Sequence, residues 1–184
     1  MKRLLVLLFL FGCFATLRAE EAEEGRVRTF MKGKIERWEV TLGGEEGNIE
    51  AYLMNDPNRW TFEVGGLSGE INTEFNDKYN SWEITVNGKS YKLKTWIGSS
   101  WNKWELSGGD LPEKVTIQTL YASTWSQWTM KREGIDLEFD TYFGNSWDDW
   151  SIKGDLSKLT DGEKVAACFM PIFVSRIYNR GLVK

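Results

Sequence analysis

The segment Lys94-Thr95-Trp96-Ile97-Gly98-Ser99-Ser100-Trp101-Asn102-Lys103-Trp104-Glu105-Leu106 (KTWIGSSWNKWEL) places three tryptophans within nine residues, in a chain of 184 residues that has 10. Set on Trp104, the same phrase recurs five more times. The anchor tryptophans are Trp38, Trp60, Trp82, Trp104, Trp128 and Trp150, spaced by 22, 22, 22, 24 and 22 residues. Two residues after each anchor stands an apolar residue (Val40, Phe62, Ile84, Leu106, Met130, Ile152). Nine residues before it stands a small one (Thr29, Ala51, Thr73, Thr95, Thr119, Thr141), followed two positions later by a larger apolar one (Met31, Leu53, Phe75, Ile97, Tyr121, Phe143). Three before the anchor comes Ile35, Pro57, Tyr79, Trp101, Trp125 or Trp147. Self-similarity at a fixed period of this size marks a repeat architecture.

Each unit reads as two strands. Ile71, Thr73 and Phe75 alternate with Asn72 and Glu74, and Trp82, Ile84 and Val86 alternate with Glu83 and Thr85. Period-2 alternation is the pattern of a half-buried strand. Gly43-Gly44, Gly65-Gly66, Asn87-Gly88 and Gly108-Gly109 mark turns at one end of the units. Gly98-Ser99-Ser100 and Gly144-Asn145-Ser146 mark turns at the other. Connections this short join antiparallel neighbours. Six hairpins give a mainly β, twelve-stranded antiparallel meander, and closing it into a barrel removes its open edges. A barrel of that width is not filled by its own side chains. The filler is expected in Val165-Ala166-Ala167-Cys168-Phe169-Met170-Pro171-Ile172-Phe173-Val174, apolar on every face, which is how a buried helix reads. That helix is expected over about 161–179, capped by Thr160 or Asp161. Pro171 opposes it and should kink it; a strand is the alternative. The basic tail 176–184 is read as leaving the barrel.

The anchor tryptophans share parity with Val40, Phe62, Ile84, Leu106, Met130 and Ile152 and are expected in the core, each contributing about 1.5–3 kcal/mol on burial. Tyr79, Trp101, Trp125 and Trp147 lie an odd number of residues from the anchors. They either fold over the barrel mouth or form an aromatic rim that binds a ligand. Tyr52, Trp96, Leu120 and Tyr142 point away from the core by parity, and contiguous exposed aromatics mark an interface.

Residues 1–19 read as a secretory signal: Lys2 and Arg3, then an apolar run to Leu17, then a cleavage site after Ala19. The run is too short for a membrane span. The alternative is a lipoprotein signal ending at Cys13. Residues 20–25 read as an acidic linker and 26–184 as one domain, secreted or periplasmic. Loss of Lys2, Arg3 and Arg18 lowers Lys plus Arg from 23 to 20 against 27 Asp plus Glu, a balance of −7. That opposes nucleic-acid binding, which uses a basic face. Cys168 then stands alone, without a disulfide, and reads as a small buried hydrophobe.

The chain has no histidine, hence no histidine base, histidine metal ligand or Ser-His-Asp triad. No phosphate loop or nucleotide fingerprint occurs. Asp148-Asp149 would face opposite ways on a strand and reads as a solvated tip. Two basic groups (Lys32, Lys34, Arg37; Lys89, Lys92, Lys94) are interspersed with acids and read as solubilising faces. No enzyme activity, cofactor or metal is expected.

The hairpin phrase aromatic-x-x-Trp-x-apolar (Tyr79 to Ile84, Trp101 to Leu106, Trp125 to Met130, Trp147 to Ile152), the Gly-polar turn before it and the ending Glu163-Lys164-Val165-Ala166-Ala167-Cys168-Phe169 resemble the tubby-like superfamily, which includes the LURP-one-related and phospholipid scramblase families. The resemblance spans roughly residues 26–178. It implies twelve antiparallel strands closed around a C-terminal apolar helix, and a non-enzymatic domain that binds or acts on lipid. The chain departs from that family in lacking a matching basic cluster and an acidic calcium loop before the helix. The functional expectation is a binding module at a membrane surface, anchored by hairpin-tip aromatics, since Trp and Tyr suit an apolar–polar boundary. The alternatives are glycan or other ligand binding by the same aromatics, and a structural, oligomerising domain.

Overall fold

The computed structural model of the protein describes residues 25–54, 56–98, 100–144, 146–178 and Gly181. The expectations for residues 1–24 (signal, Cys13, acidic linker) lie outside the described residues, as does the tail beyond 178 except Gly181. Twelve strands run in chain order: β1 (Gly25–Met31), β2 (Lys34–Leu42), β3 (Glu45–Ala51), β4 (Arg59–Val64), β5 (Leu67–Thr73), β6 (Ser81–Val86), β7 (Lys89–Thr95), β8 (Lys103–Gly108), β9 (Val115–Thr119), β10 (Gln127–Arg132), β11 (Ile135–Thr141) and β12 (Asp149–Lys153). Each pairs antiparallel with the next, and β1 pairs with β12, so the sheet is a closed barrel. Gly25 belongs to β1 and lies opposite Ile152.

The register explains the repeat. Each anchor indole faces the small residue nine positions earlier: Trp38 opposite Thr29, Trp60 opposite Ala51, Trp82 opposite Thr73, Trp104 opposite Thr95, Trp128 opposite Thr119 and Trp150 opposite Thr141. A larger residue there would compete with the indole for the same inward space. The anchor N–H is satisfied locally. In all six units the indole Nε1 donates to the carbonyl three residues back, from 2.7 Å (Trp82 to Tyr79) to 3.3 Å (Trp150 to Trp147). The spacing x-x-Trp is therefore a buried-polar requirement, and all six anchors are 2% exposed or less. The single 24-residue spacing falls where β8 and β9 are joined by the longer turn 109–114.

The turns sort by end. At the pole of the even-to-odd connections the chain reverses in pairs such as Asn87-Gly88, both at positive φ (48° and 76°), the geometry of a type I′ hairpin. At the opposite pole the first hairpin turns through Lys32-Gly33, while the other five connections are longer and the last four carry the aromatic-x-x-Trp phrase.

Helix α1 (Asp161–Phe173) threads the barrel. Thr160 is its N-cap in a capping box with Glu163: the Glu163 N–H donates to the Thr160 hydroxyl (3.4 Å), and the Thr160 N–H donates to Glu163 Oε2 (2.7 Å). The helix enters at the Asn87-Gly88 pole, where Asn87 Nδ2 donates to Asp161 Oδ2 (3.4 Å) and Arg132 pairs with the fully buried Glu163. A Cβ on Gly162 would come within 2.4 Å of the Tyr91 ring, so only glycine lets the helix enter this closely. Phe169 meets Trp82 edge-on at 4.9 Å, and Phe173 meets Trp104 edge-on at 4.6 Å. Helix, not strand, is what the apolar run forms. Pro171 sits inside the helix without ending it. The last turn widens to a π-helix over Val174–Tyr178, with the Val174 N–H shared between the Met170 and Pro171 carbonyls. Ser175 ties that turn down, accepting from Trp150 Nε1 (2.9 Å) and donating to the Pro171 carbonyl (2.7 Å).

Cys168 is fully buried, and desolvation pushes its thiol up to about 12. Since thiolate is the reactive form, an aromatic disulfide reagent at pH 8 is expected to leave Cys168 untouched in the native protein and to titrate it in guanidinium. Rapid native-state reaction would contradict a helix inside the barrel.

Candidate functional site

The outer wall of the barrel is polar, with Glu, Lys, Arg, Asn and Thr at outward positions such as Glu39, Glu63, Glu83 and Lys92. Cross-strand ion pairs such as Arg28–Glu39 (2.9 Å) and Arg59–Glu70 (2.7 Å) lie on it. A strand barrel that crosses a membrane presents the reverse arrangement, apolar outside. No helix among the described residues is long and apolar enough to cross a membrane.

The apolar surface is confined to one rim. Among the described residues the exposed large hydrophobics are Phe30, Met31, Tyr52, Leu53, Met54, Phe75, Trp96, Ile97, Leu120, Tyr121, Tyr142 and Phe143. Every one lies at the pole where the odd-to-even hairpins turn. Six of them are the column seven residues before each anchor: Met31, Leu53, Phe75, Ile97, Tyr121 and Phe143, between 52% and 70% exposed. Because the barrel closes, this column makes a ring with one tip per hairpin. The opposite rim is polar and charged, with acids (Glu45, Glu46, Asp110, Glu133) and bases (Lys89, Lys114, Arg132, Lys164) at or beside its turns. Exposed large hydrophobics thus mark one pole of the described residues, and charged residues of both signs the other.

Below the tips runs a second ring, eight residues before each anchor, which carries cations over its aromatic faces. Arg37 lies over Phe30 (4.8 Å), Arg59 over Tyr52 (4.0 Å) and Lys103 over Trp96 (4.3 Å). Residues eight and one before the anchor are cross-strand partners, as the Tyr52 N–H to Arg59 carbonyl (2.9 Å) and Trp96 N–H to Lys103 carbonyl (2.9 Å) bonds show. In the sixth hairpin the partner position is Asp149, and Arg26 from β1 supplies the cation. It covers Tyr142 (4.3 Å) and grips Asp149 with two bonds (2.8 and 2.7 Å), closing the seam of the barrel. In the third hairpin the ring position is Glu74. It accepts from Ser81 (2.7 Å) and from Lys92 (3.3 Å), and these bonds hold its carboxyl below the ordinary range, Ser81 contributing most. The ring is a set of cross-strand pairs at a solvent-facing rim.

Tyr79, Trp101, Trp125 and Trp147, the four candidate ligand-binding residues, are brought together in the mouth, but inward of the exposed ring. Tyr79 is only 7% exposed, stacks on Trp82 at 6.1 Å, and donates to Asp77 (3.2 Å). Burial, followed by the Asp77 carboxylate, pushes its phenol up to about 12. Trp101 stacks on Phe173 at 6.2 Å, Trp125 meets Trp128 at 5.5 Å, and Trp147 meets Trp150 at 6.0 Å. All three tryptophans are partly buried against the core. None of the four is an exposed anchor. Of the two arrangements open from sequence, they fold over the mouth, while the column seven before the anchor makes the rim. Parity hides that column: it lies two residues beyond the small residue opposite the anchor, so alternation points it inward, but the strand ends first or, in β1, its register shifts. Its signal is an apolar residue two positions past the small one in all six units, in the turn in five of them and at the end of β1, past a register shift, in the first. Tyr52, Trp96, Leu120 and Tyr142 are exposed as parity requires, at 40% to 53%. Arg176, read from sequence as part of a protruding tail, is only 8% exposed, because the π-turn keeps it in the mouth.

A shallow groove of about 330 Å³ lies between Trp96 and Leu120 on the outside of this rim. Compared with protein-family models, with curated proteins and with solved structures, the chain matches none.

Proposed function

We propose that the protein is a non-enzymatic module that docks end-on at a membrane surface, with its apolar rim seated at the boundary of headgroups and acyl chains. One observation carries this reading: every exposed large hydrophobic among the described residues lies on one pole. Beneath the tips sits a collar of aromatics paired with Arg and Lys, the composition found at bilayer interfaces, where long basic side chains keep their charge in the headgroup layer. The charged pole then faces water. The cations over Phe30, Tyr52, Trp96 and Tyr142 occupy ring faces that sugar stacking would use, which favours lipid over glycan. The resemblance to the tubby-like superfamily points the same way by analogy of fold alone.

Vesicle flotation tests the reading. The tips are solvent-exposed, so Leu53→Ser, Phe75→Ser, Ile97→Ser and Phe143→Ser together should leave the melting temperature within a few degrees. Each buried methylene contributes about 0.8 kcal/mol, so the four changes should weaken partitioning by more than about a hundredfold. The protein should float with phosphatidylcholine–phosphatidylglycerol vesicles and the variant should not. A wild-type protein that stays at the bottom with every vesicle, or a variant that floats equally, contradicts the reading.

A further inference from the structure

The mouth inside the apolar rim holds a cation to which no described residue supplies an ion pair. Arg176 lies on the π-turn that ends the barrel helix, and only 8% of it is exposed. Its Nε is buried without a hydrogen-bond partner, and no carboxylate of the described residues forms an ion pair with it. A buried donor left without an acceptor costs stability and is rare in native proteins, and the terminal guanidinium nitrogens of Arg176, which are not among the buried orphans, open toward the mouth. π-turns are themselves frequent at functional positions. A second orphan sits at the same mouth: Trp101 Nε1 is buried and unpartnered, its ring flat against Phe173, three residues before Arg176. Both orphans are donors, so the missing group is an acceptor.

Arg176 acts on the Tyr79 phenol electrostatically, as do the carboxylates of Asp77 and Asp56. Those acids have partners of their own: Asp77 accepts from Tyr79 and from Asn58 Nδ2 (both 3.2 Å), and Asp56 accepts from the Asn58 N–H (2.9 Å). They leave the guanidinium unpaired. The outer boundary of the mouth is the ring of apolar tips, so an acceptor arriving there comes with an apolar body attached.

We propose that the centre of the rim is an anion receptor, in which Arg176 takes the phosphate of a membrane phospholipid whose acyl chains lie among the surrounding tips. The planar guanidinium suits a phosphate through paired N–H donors, and Trp101 Nε1 offers a further donor at the mouth. The inference rests on the docking reading for its source of phosphate, and its test separates the two.

The test titrates the purified protein with dihexanoyl phosphatidic acid below its micelle concentration, with dihexanoylglycerol and with inorganic phosphate, by calorimetry and thermal melting. Phosphatidic acid should bind and raise the melting temperature, whereas dihexanoylglycerol should not. Arg176→Met should melt no lower than wild type without ligand, because it removes a buried donor that has no acceptor, and should bind phosphatidic acid roughly tenfold to a hundredfold more weakly. Arg176→Lys should fall between. Equal affinity in wild type and Arg176→Met overturns the proposal. So does an Arg176→Met variant that melts far below wild type, since the guanidinium would then have a structural partner. Inorganic phosphate binding as tightly as the lipid overturns the lipid source. A protein that ignores vesicles yet loses short-chain lipid on Arg176→Met keeps the receptor and loses the docking reading.

Discussion

Phe169→Ala is expected to lower the stability of the barrel by about 3–5 kcal/mol, the range for removing a buried aromatic ring. Phe169 is fully buried at the middle of α1, edge-on to Trp82 at 4.9 Å and to Trp60 at 6.2 Å. The site cannot collapse easily. Its outer wall is a hydrogen-bonded sheet closed on itself, and its inner side is a helix held at both ends, by the Thr160–Glu163 box and by the Trp150–Ser175 bond. A wall that does not relax leaves most of the cavity open, which places the cost toward the upper part of the range. Urea denaturation should show a lower midpoint with an unchanged slope. A loss below about 1 kcal/mol would mean that the helix does not pack in the lumen as described.

Glu163→Ala is expected to cost a similar amount, about 3–5 kcal/mol, because it strands one member of a buried pair. Glu163 has no exposed surface, Arg132 Nε and Nη2 reach its two carboxylate oxygens at 2.5 and 3.1 Å, and its Oε2 also takes the Thr160 N–H. Deletion leaves the Arg132 guanidinium with only the Glu133 and Lys158 carbonyls (2.8 and 3.3 Å) and no counter-charge, and it opens the first turn of the helix. Glu163→Gln keeps an acceptor for the Thr160 N–H and should lose less. Replacing both partners together, Arg132→Met with Glu163→Leu, should recover much of the loss, since a well-packed apolar pair is often as stable as a buried ion pair. If the double variant were as unstable as the single, the cost would lie in the cap and not in the stranded charge.

The parts of this molecule legible in its sequence are those governed by periodicity. Six tryptophans at near-constant spacing, with an apolar residue two positions on, define the inward face of six strands, and the alternation around Ile71 and Ile84 defines their pairing. The buried helix is legible because nothing from Val165 to Val174 is polar. What escapes is set by interactions across strands and by the ends of elements. The cation–aromatic collar joins residues seven apart, such as Tyr52 and Arg59, whose contact appears only once the hairpin register is known. The tip column was hidden by a turn that breaks parity. Arg176 reads as the first residue of a basic tail, yet the helix passes Pro171 and widens into a π-turn, and this brings a tail residue into the mouth. In each case the local pattern is sound up to the point where an element ends, and the terminus decides where the side chain goes.

The end-on docking of the apolar pole is tested most directly by depth. In a Cys13→Ser background Cys168 is buried, so an introduced cysteine takes an environment-sensitive label alone. One label at Ile97→Cys marks the apolar rim and another at Glu133→Cys marks the charged rim. With vesicles carrying brominated acyl chains, the Ile97 label should shift to the blue and be quenched, while the Glu133 label stays as it is in buffer. Equal responses at both poles, or none at Ile97, would contradict docking through the rim.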